Sequence, residues 1–208
     1  MKGLRKTVLL VPLLWVSSAG ASSIAIPPEL RAIAAKMRSI KTLQVGMRQE
    51  KRLEVFDELV KSKGSLAFAR PQKLRMDLSG PGGTTLVIDG DAMAMHYKAL
   101  KKTERFKLSA DPRARAVAEH LFLLLAADPE ALSEIYDLEL LDKRPLRIRL
   151  IPKAPALARL IKHVEARFDA RGFVGDLVLL EANGDTTRWF FHDPKLNEEI
   201  ASEHFRLD

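Results

Sequence analysis

No cysteine occurs anywhere in the 208 residues, and that one absence excludes several classes at once. Disulfide-stapled scaffolds are ruled out, as are zinc sites built on thiolates. A lipid tether attached to an N-terminal cysteine is excluded by the same count. Aromatic residues are scarce, at 6%, with only two tryptophans, so the core must be mostly aliphatic. The apolar run Val8 to Val16 is far short of the roughly 20 residues that a spanning helix needs. It lies between a basic start (Lys2, Arg5, Lys6) and the small-residue ending Ala19-Gly20-Ala21. That pattern predicts a cleavable secretory signal over residues 1–21, cut after Ala21, and an untethered periplasmic protein. Without the signal's three cations, 31 basic side chains face 27 acidic ones, a net charge of +4. The cations are scattered rather than clustered, so a nucleic-acid partner is not expected.

The usual catalytic constellations are missing as well. Five histidines (His96, His120, His163, His192 and His204) form no H-E-x-x-H motif, which removes the common helical metal site. No G-x-S-x-G elbow is present. Gly80-Pro81-Gly82-Gly83 lacks the Lys-Ser/Thr ending of a phosphate loop and reads as a turn. Asp77, Asp89 and Asp91 fall at turns or strand edges with no partner to make an acid–base pair. The chain is expected to be neither an enzyme nor a holder of metals or cofactors.

What the chain does have is alternation. After a helical segment that opens at Pro27-Pro28-Glu29, period-2 patterns run through most of the sequence. Leu43, Val45 and Met47 alternate, and Leu53 and Val55 continue the pattern after a polar gap. The candidate lining set is Met47, Leu66, Phe68, Leu74, Met76, Leu86, Ile88, Met93 and Met95. Later strands add Ile148, Leu150, Val164, Phe168, Leu180, Trp189 and Phe191. Asp89-Gly90 and Asn183-Gly184 are strong hairpin signals. Residues 112–127 return to a helical period, with Ala114, Val117, Leu121, Leu124 and Leu125 on one stripe behind an Asp111-Pro112 start, and a short helical turn follows Asp128-Pro129. About eleven consecutive strands make a large antiparallel sheet that must curl, and the 112–127 helix is the obvious cover for its dry face. The expected fold is mainly β (α+β): an unclosed antiparallel barrel with an α-helical lid, forming one domain over 22–208. Methionines at 47, 76, 93 and 95 suit a wall that repacks around variable guests. Alternation alone fits a filled core equally well.

The order of elements and several motifs resemble the bacterial outer-membrane lipoprotein carrier family (LolA-like). The matching stretches are Ser39-Ile40-Lys41-Thr42-Leu43-Gln44, Gly64-x-Leu66-x-Phe68-x-Arg70-Pro71-x-x-Leu74-Arg75 and Leu86-Val87-Ile88-Asp89-Gly90. Asn183-Gly184-Asp185-x-Thr187 and Phe191-x-x-Pro194-x-x-Asn197 complete them. The resemblance implies a monomeric carrier whose inward residues form a lipid-binding wall around the acyl chains of a lipoprotein. It also implies loading from an inner-membrane ABC transporter (LolCDE-like) and delivery to an outer-membrane receptor (LolB-like). Arg70 takes the family's gating position, where it would grip the helical cover near 112–127, with Arg75 a weaker second. Two features depart from the family. The wall is more aliphatic, and the sequence stops soon after Phe205 without an added C-terminal strand. Both leave room for a paralogue that carries another lipid, such as a glycolipid or aryl-polyene, or for a periplasmic sensor of the same shape.

Overall fold

The computed structural model describes residues 26, 28–56, 58–80 and 83–206. The predicted signal, residues 1–21, lies outside the described residues.

A short helix, α1 (Pro28–Ser39), opens the fold, with Leu30, Ile33 and Ala34 as its buried face. Six strands follow: β1 (Thr42–Leu53), β2 (Glu58–Ala69), β3 (Lys73–Ser79), β4 (Thr84–Asp89), β5 (Ala92–Tyr97) and β6 (Lys102–Lys107). Two helices, α2 (Pro112–Ala126) and α3 (Pro129–Ile135), then carry the chain to β7 (Tyr136–Lys143) and β8 (Leu146–Pro152). A single turn, α4 (Pro155–Ala158), precedes β9 (Ile161–Phe168), β10 (Val174–Glu181) and β11 (Thr186–Leu196).

All eleven strands form one antiparallel sheet in the order β6-β5-β4-β3-β2-β1-β11-β10-β9-β8-β7. No pairing joins β6 to β7, so the barrel stays open between them, and α2 and α3 bridge that opening. Local chemistry sets both helices. The Asp111 carboxylate accepts from the Arg113 and Ala114 backbone N–H groups at 2.9 and 3.0 Å, with Pro112 in the first turn. Ala127, at φ 47°, ends α2 in the left-handed region, and Asp128 caps α3 in the same way. The sheet coils hard at its centre: a Cβ on Gly64 would lie 1.8 Å from the Asp77 carbonyl oxygen, so only glycine fits there.

The expected unclosed barrel with a helical lid is therefore what forms, with three local corrections. Val55 belongs to no strand; it sits in a 3-10 turn, Glu54–Phe56, and is 81% exposed. Val117 does not join the covering stripe of α2 but faces outward, because Ala114 and Ala118 are the residues that meet the sheet. Leu180 is on the wrong face. An irregularity between Val174 and Asp176 reverses the alternation of β10, turning Leu177 and Leu179 inward and pairing Leu180 with His163 and Thr186 on the outer side.

The outer face has an organised patch of its own. Arg75 bonds Asp77 at 2.6 Å and donates to the carbonyls of His204 and Arg206 at 3.1 and 3.0 Å. Burial by itself would raise the Asp77 carboxyl, but the Arg75 and Thr85 hydrogen bonds outweigh it and hold it below the usual carboxylate range. This pins a short 3-10 turn, Ser202–Phe205, against β3 and β4 and buries Phe205.

Candidate functional site

Between the concave sheet and α2 lies a cavity of about 310 Å³. Three central strands supply much of its wall: Leu43, Val45 and Met47 from β1, Leu66 from β2, and Leu74 and Met76 from β3. Across the cavity stand Trp189 and Phe191 from β11, Leu177 and Leu179 from β10, and Val164 and Phe168 from β9. The roof is Leu121, Leu124 and Leu125 of α2, and Met37 of α1 closes one side. The turn Asp169–Phe173 between β9 and β10 reaches the cavity at one rim.

Eleven of the residues expected from sequence meet at this cavity: Met47, Leu66, Leu74, Met76, Val164, Phe168, Trp189, Phe191, Leu121, Leu124 and Leu125. The rest do not line it. Leu86, Ile88 and Met93 are 0–5% exposed and sit in a filled cluster with Ala114 and Ala118, against which Met95 also packs. Phe68 packs there on Phe122, ring centroids 6.2 Å apart. Ile148 and Leu150 belong to a second filled cluster with Leu30, Tyr136 and Leu138. Small helical residues explain the first case, because Ala114 and Ala118 bring α2 close enough to the sheet to leave no gap.

Sequence reasoning missed Leu43, Val45, Leu177, Leu179, Phe173 and His120 as wall residues. The first two were legible from the alternation that contains Met47. The β10 pair was hidden by the irregularity, which no sequence period reveals.

Polar groups in the wall are few and mostly occupied. The Trp189 indole N–H donates to the Gln49 side-chain oxygen at 3.2 Å. Asp169 accepts from the Arg171 guanidinium at 3.0 Å and from the Phe173 backbone N–H at 2.9 Å. His120, on the lid, lies 2.5 Å (Nε2) from the Tyr136 hydroxyl, and Tyr136 is fully buried. Burial lowers the His120 pKa and pushes Tyr136 up to about 12, so a neutral imidazole is paired with a protonated phenol. Among the described residues, no group of three or more His, Asp or Glu is arranged to hold a metal. The chemistry on offer is solvation of an apolar guest.

Arg70 sits at the end of β2, but not against α2. Its Nε donates to the Ile40 carbonyl at 2.9 Å and its Nη2 to the Met37 carbonyl at 3.3 Å. The expected grip on residues 112–127 is thus replaced by a grip on the C-terminal end of α1, the other helix over the sheet. The reason is topological: β2 ends beside the start of β1, where α1 enters, and the Arg70 backbone N–H also donates to the Lys41 carbonyl at 2.9 Å. Carbonyls at a helix C-terminus carry partial negative charge and attract a guanidinium. Arg75, expected at most as a second gate, is taken up by the outer-face patch instead.

Among solved structures, the Mycobacterium tuberculosis lipoprotein LppX overlays with a TM-score of 0.48 at 12% identity, over 83% of this chain and 95% of that one. A LolA superfamily protein from Nitrosomonas europaea gives 0.43 at 11%, over 86% and 97%. MucB, in the MucA/MucB complex of Pseudomonas aeruginosa, gives 0.44 at 15% and is spanned over 60% of its length. No curated protein matches. The family model for the outer membrane lipoprotein carrier protein LolA matches residues 38–208, from the end of α1 to the C-terminus. The chain belongs to the LolA family of outer membrane lipoprotein carrier proteins.

Proposed function

We propose that this protein is a periplasmic carrier that holds the acyl chains of a lipoprotein in the cavity under α2 and moves them from the inner to the outer membrane. The observation that carries the reading is a half-open cavity between the sheet and α2, walled by Leu, Met, Val, Phe and Trp side chains with few polar groups among them. Burial of an acyl chain gains about 0.8 kcal/mol per CH₂, on the order of 10 kcal/mol for a long chain. Such a chain crosses water only inside a shelter of this kind. The carrier needs no catalytic group, because cargo moves down a gradient of affinity from one site to the next.

At about 310 Å³ the cavity is at the lower end of pockets that enclose drug-sized ligands. A lipid with several chains therefore requires the helices to move outward. Arg70 is placed to resist that movement, through two hydrogen bonds to the end of α1. Loading from an inner-membrane ABC transporter (LolCDE-like) and delivery to an outer-membrane receptor (LolB-like) is the route that family membership supports. Export rests on the signal-like residues 1–21, and the carrier domain occupies 22–208 as one unit.

Solvent extraction and native mass spectrometry of protein purified from the periplasm test the proposal. An acylated molecule that detergent displaces is expected. Empty protein with no affinity for an acylated peptide would contradict it.

A further inference from the structure

The large apolar side chains that stand in water are not spread evenly. Among the described residues these are Val55, Leu59, Leu100, Val117, Ile135, Leu140 and Leu160. The antiparallel order brings five of them to one rim of the barrel, opposite the rim that carries Arg70. Val55 and Leu59 lie at the β1–β2 connection, Leu100 between β5 and β6, Ile135 where α3 meets β7, and Leu160 between β8 and β9.

Two of these tips share a chemistry. Leu100, 73% exposed, sits within Lys98-Ala99-Leu100-Lys101-Lys102, and Leu160, 66% exposed, within Arg159-Leu160-Ile161-Lys162. Neither is a loose end. The Leu100 N–H donates to the Tyr97 carbonyl at 3.2 Å, and the Leu160 N–H to the Leu157 carbonyl at 2.9 Å. The Leu160 carbonyl accepts from Ala182 N–H at 2.9 Å. Both turns also flank the open side of the barrel: one leads directly into the free edge β6, and the other is one hairpin in from the free edge β7. Val117 on the bridging helix and Leu140 on β7, 47% and 39% exposed, extend the apolar line along that opening.

A fixed leucine projecting between cations suits a bilayer interface: the apolar side chain enters the acyl boundary while Lys and Arg meet lipid phosphates. We infer that the open side of this rim docks on an anionic phospholipid bilayer, with Leu100 and Leu160 as its two anchors. Charge sets the orientation. Across the rim, Val55 is flanked by Glu54 and Glu58, which such a surface repels, so the molecule leans onto its open side. The docked face holds the helices that cover the cavity, although the inference stands whatever the cavity holds.

Co-sedimentation with vesicles of phosphatidylethanolamine and phosphatidylglycerol, against vesicles of phosphatidylcholine alone, tests this. The protein should sediment with the first at low salt, not with the second, and be released as salt rises. The double variant L100E/L160E should partition at least about tenfold more weakly, and R159Q or K162Q about fivefold each, from about 1 kcal/mol per cation. V55E should change nothing. All of these positions are exposed, so unfolding midpoints should match the parent, and acylated-peptide binding in solution should persist. Failure of the parent to sediment with anionic vesicles would overturn the inference in favour of a protein surface. Equal partition of L100E/L160E and parent would overturn it as well.

Discussion

Two regions of the same sheet, built on the same alternating pattern, come to opposite ends. On the β4–β5 flank, Leu86, Ile88 and Met93 are sealed under the first half of α2. Around β1, β10 and β11, Val45, Leu177, Leu179 and Trp189 border a void under the second half of the same helix. The strands do not make this difference; the helix does. Its first half meets the sheet with Ala114 and Ala118, and small residues let the two approach until the space is filled. Its second half presents Leu121, Leu124 and Leu125, which hold the roof away and leave a cavity. A hollow barrel here is a matter of residue size along one helix.

The largest expected effect separates the two regions by stability. Ile88→Ala should cost about 2–5 kcal/mol, because the buried side chain leaves a new cavity in a filled cluster. Leu179→Ala should cost about 1 kcal/mol, since that side chain already faces empty space. Urea unfolding measures both, and equal losses would mean that the two regions are packed alike. The second contrast is functional. Leu177→Trp should fill the cavity and weaken binding of an acylated peptide at least about tenfold, or 1.4 kcal/mol, with little change in the unfolding midpoint. Ala118→Leu should do the reverse, straining the filled flank by about 1–3 kcal/mol.

Much of this comparison was legible in the sequence, but not its boundary. Alternation located the strands, and the hairpin signals at Asp89-Gly90 and Asn183-Gly184 located the turns. Arg70 was recognisable as a charge at a strand end, yet its partner was not, because which helix crosses that end depends on the topology of the folded chain. Leu180 was misread because strand irregularities carry no periodic mark. Hollow and filled walls look alike in one dimension, since inward residues are apolar in both. The size step from Ala114 and Ala118 to Leu121 was the one available clue.

A smaller effect concerns the latch. Arg70→Leu removes two hydrogen bonds from the largely exposed end of α1, a loss of about 1 kcal/mol. Release of a bound acylated peptide should then speed up about fivefold in stopped-flow exchange. Arg70→Lys should not restore the slow rate, because one ammonium cannot reproduce the forked contact. An unchanged rate would leave Arg70 as a surface residue only.

The smallest expected effect is on pH. Burial lowers the His120 pKa in the folded state, and His163 shifts in the same direction. The unfolded chain therefore binds more protons as pH falls through the ordinary histidine range near 6.5, and stability drops from pH 7 towards pH 5. His120→Gln should flatten part of that slope in pH-dependent thermal unfolding, and His163→Gln a further part. An unaltered slope in both would place the pH sensitivity elsewhere.

The most direct test of the hollow wall uses its own tryptophan. Trp189 is the only tryptophan after residue 21, and it lines the cavity. Its fluorescence, in a chain lacking residues 1–21, should shift saturably to the blue with a palmitoylated peptide and stay constant with the same peptide unacylated. No shift with the palmitoylated peptide, or the same shift with both, would contradict the claim that this cavity holds acyl chains.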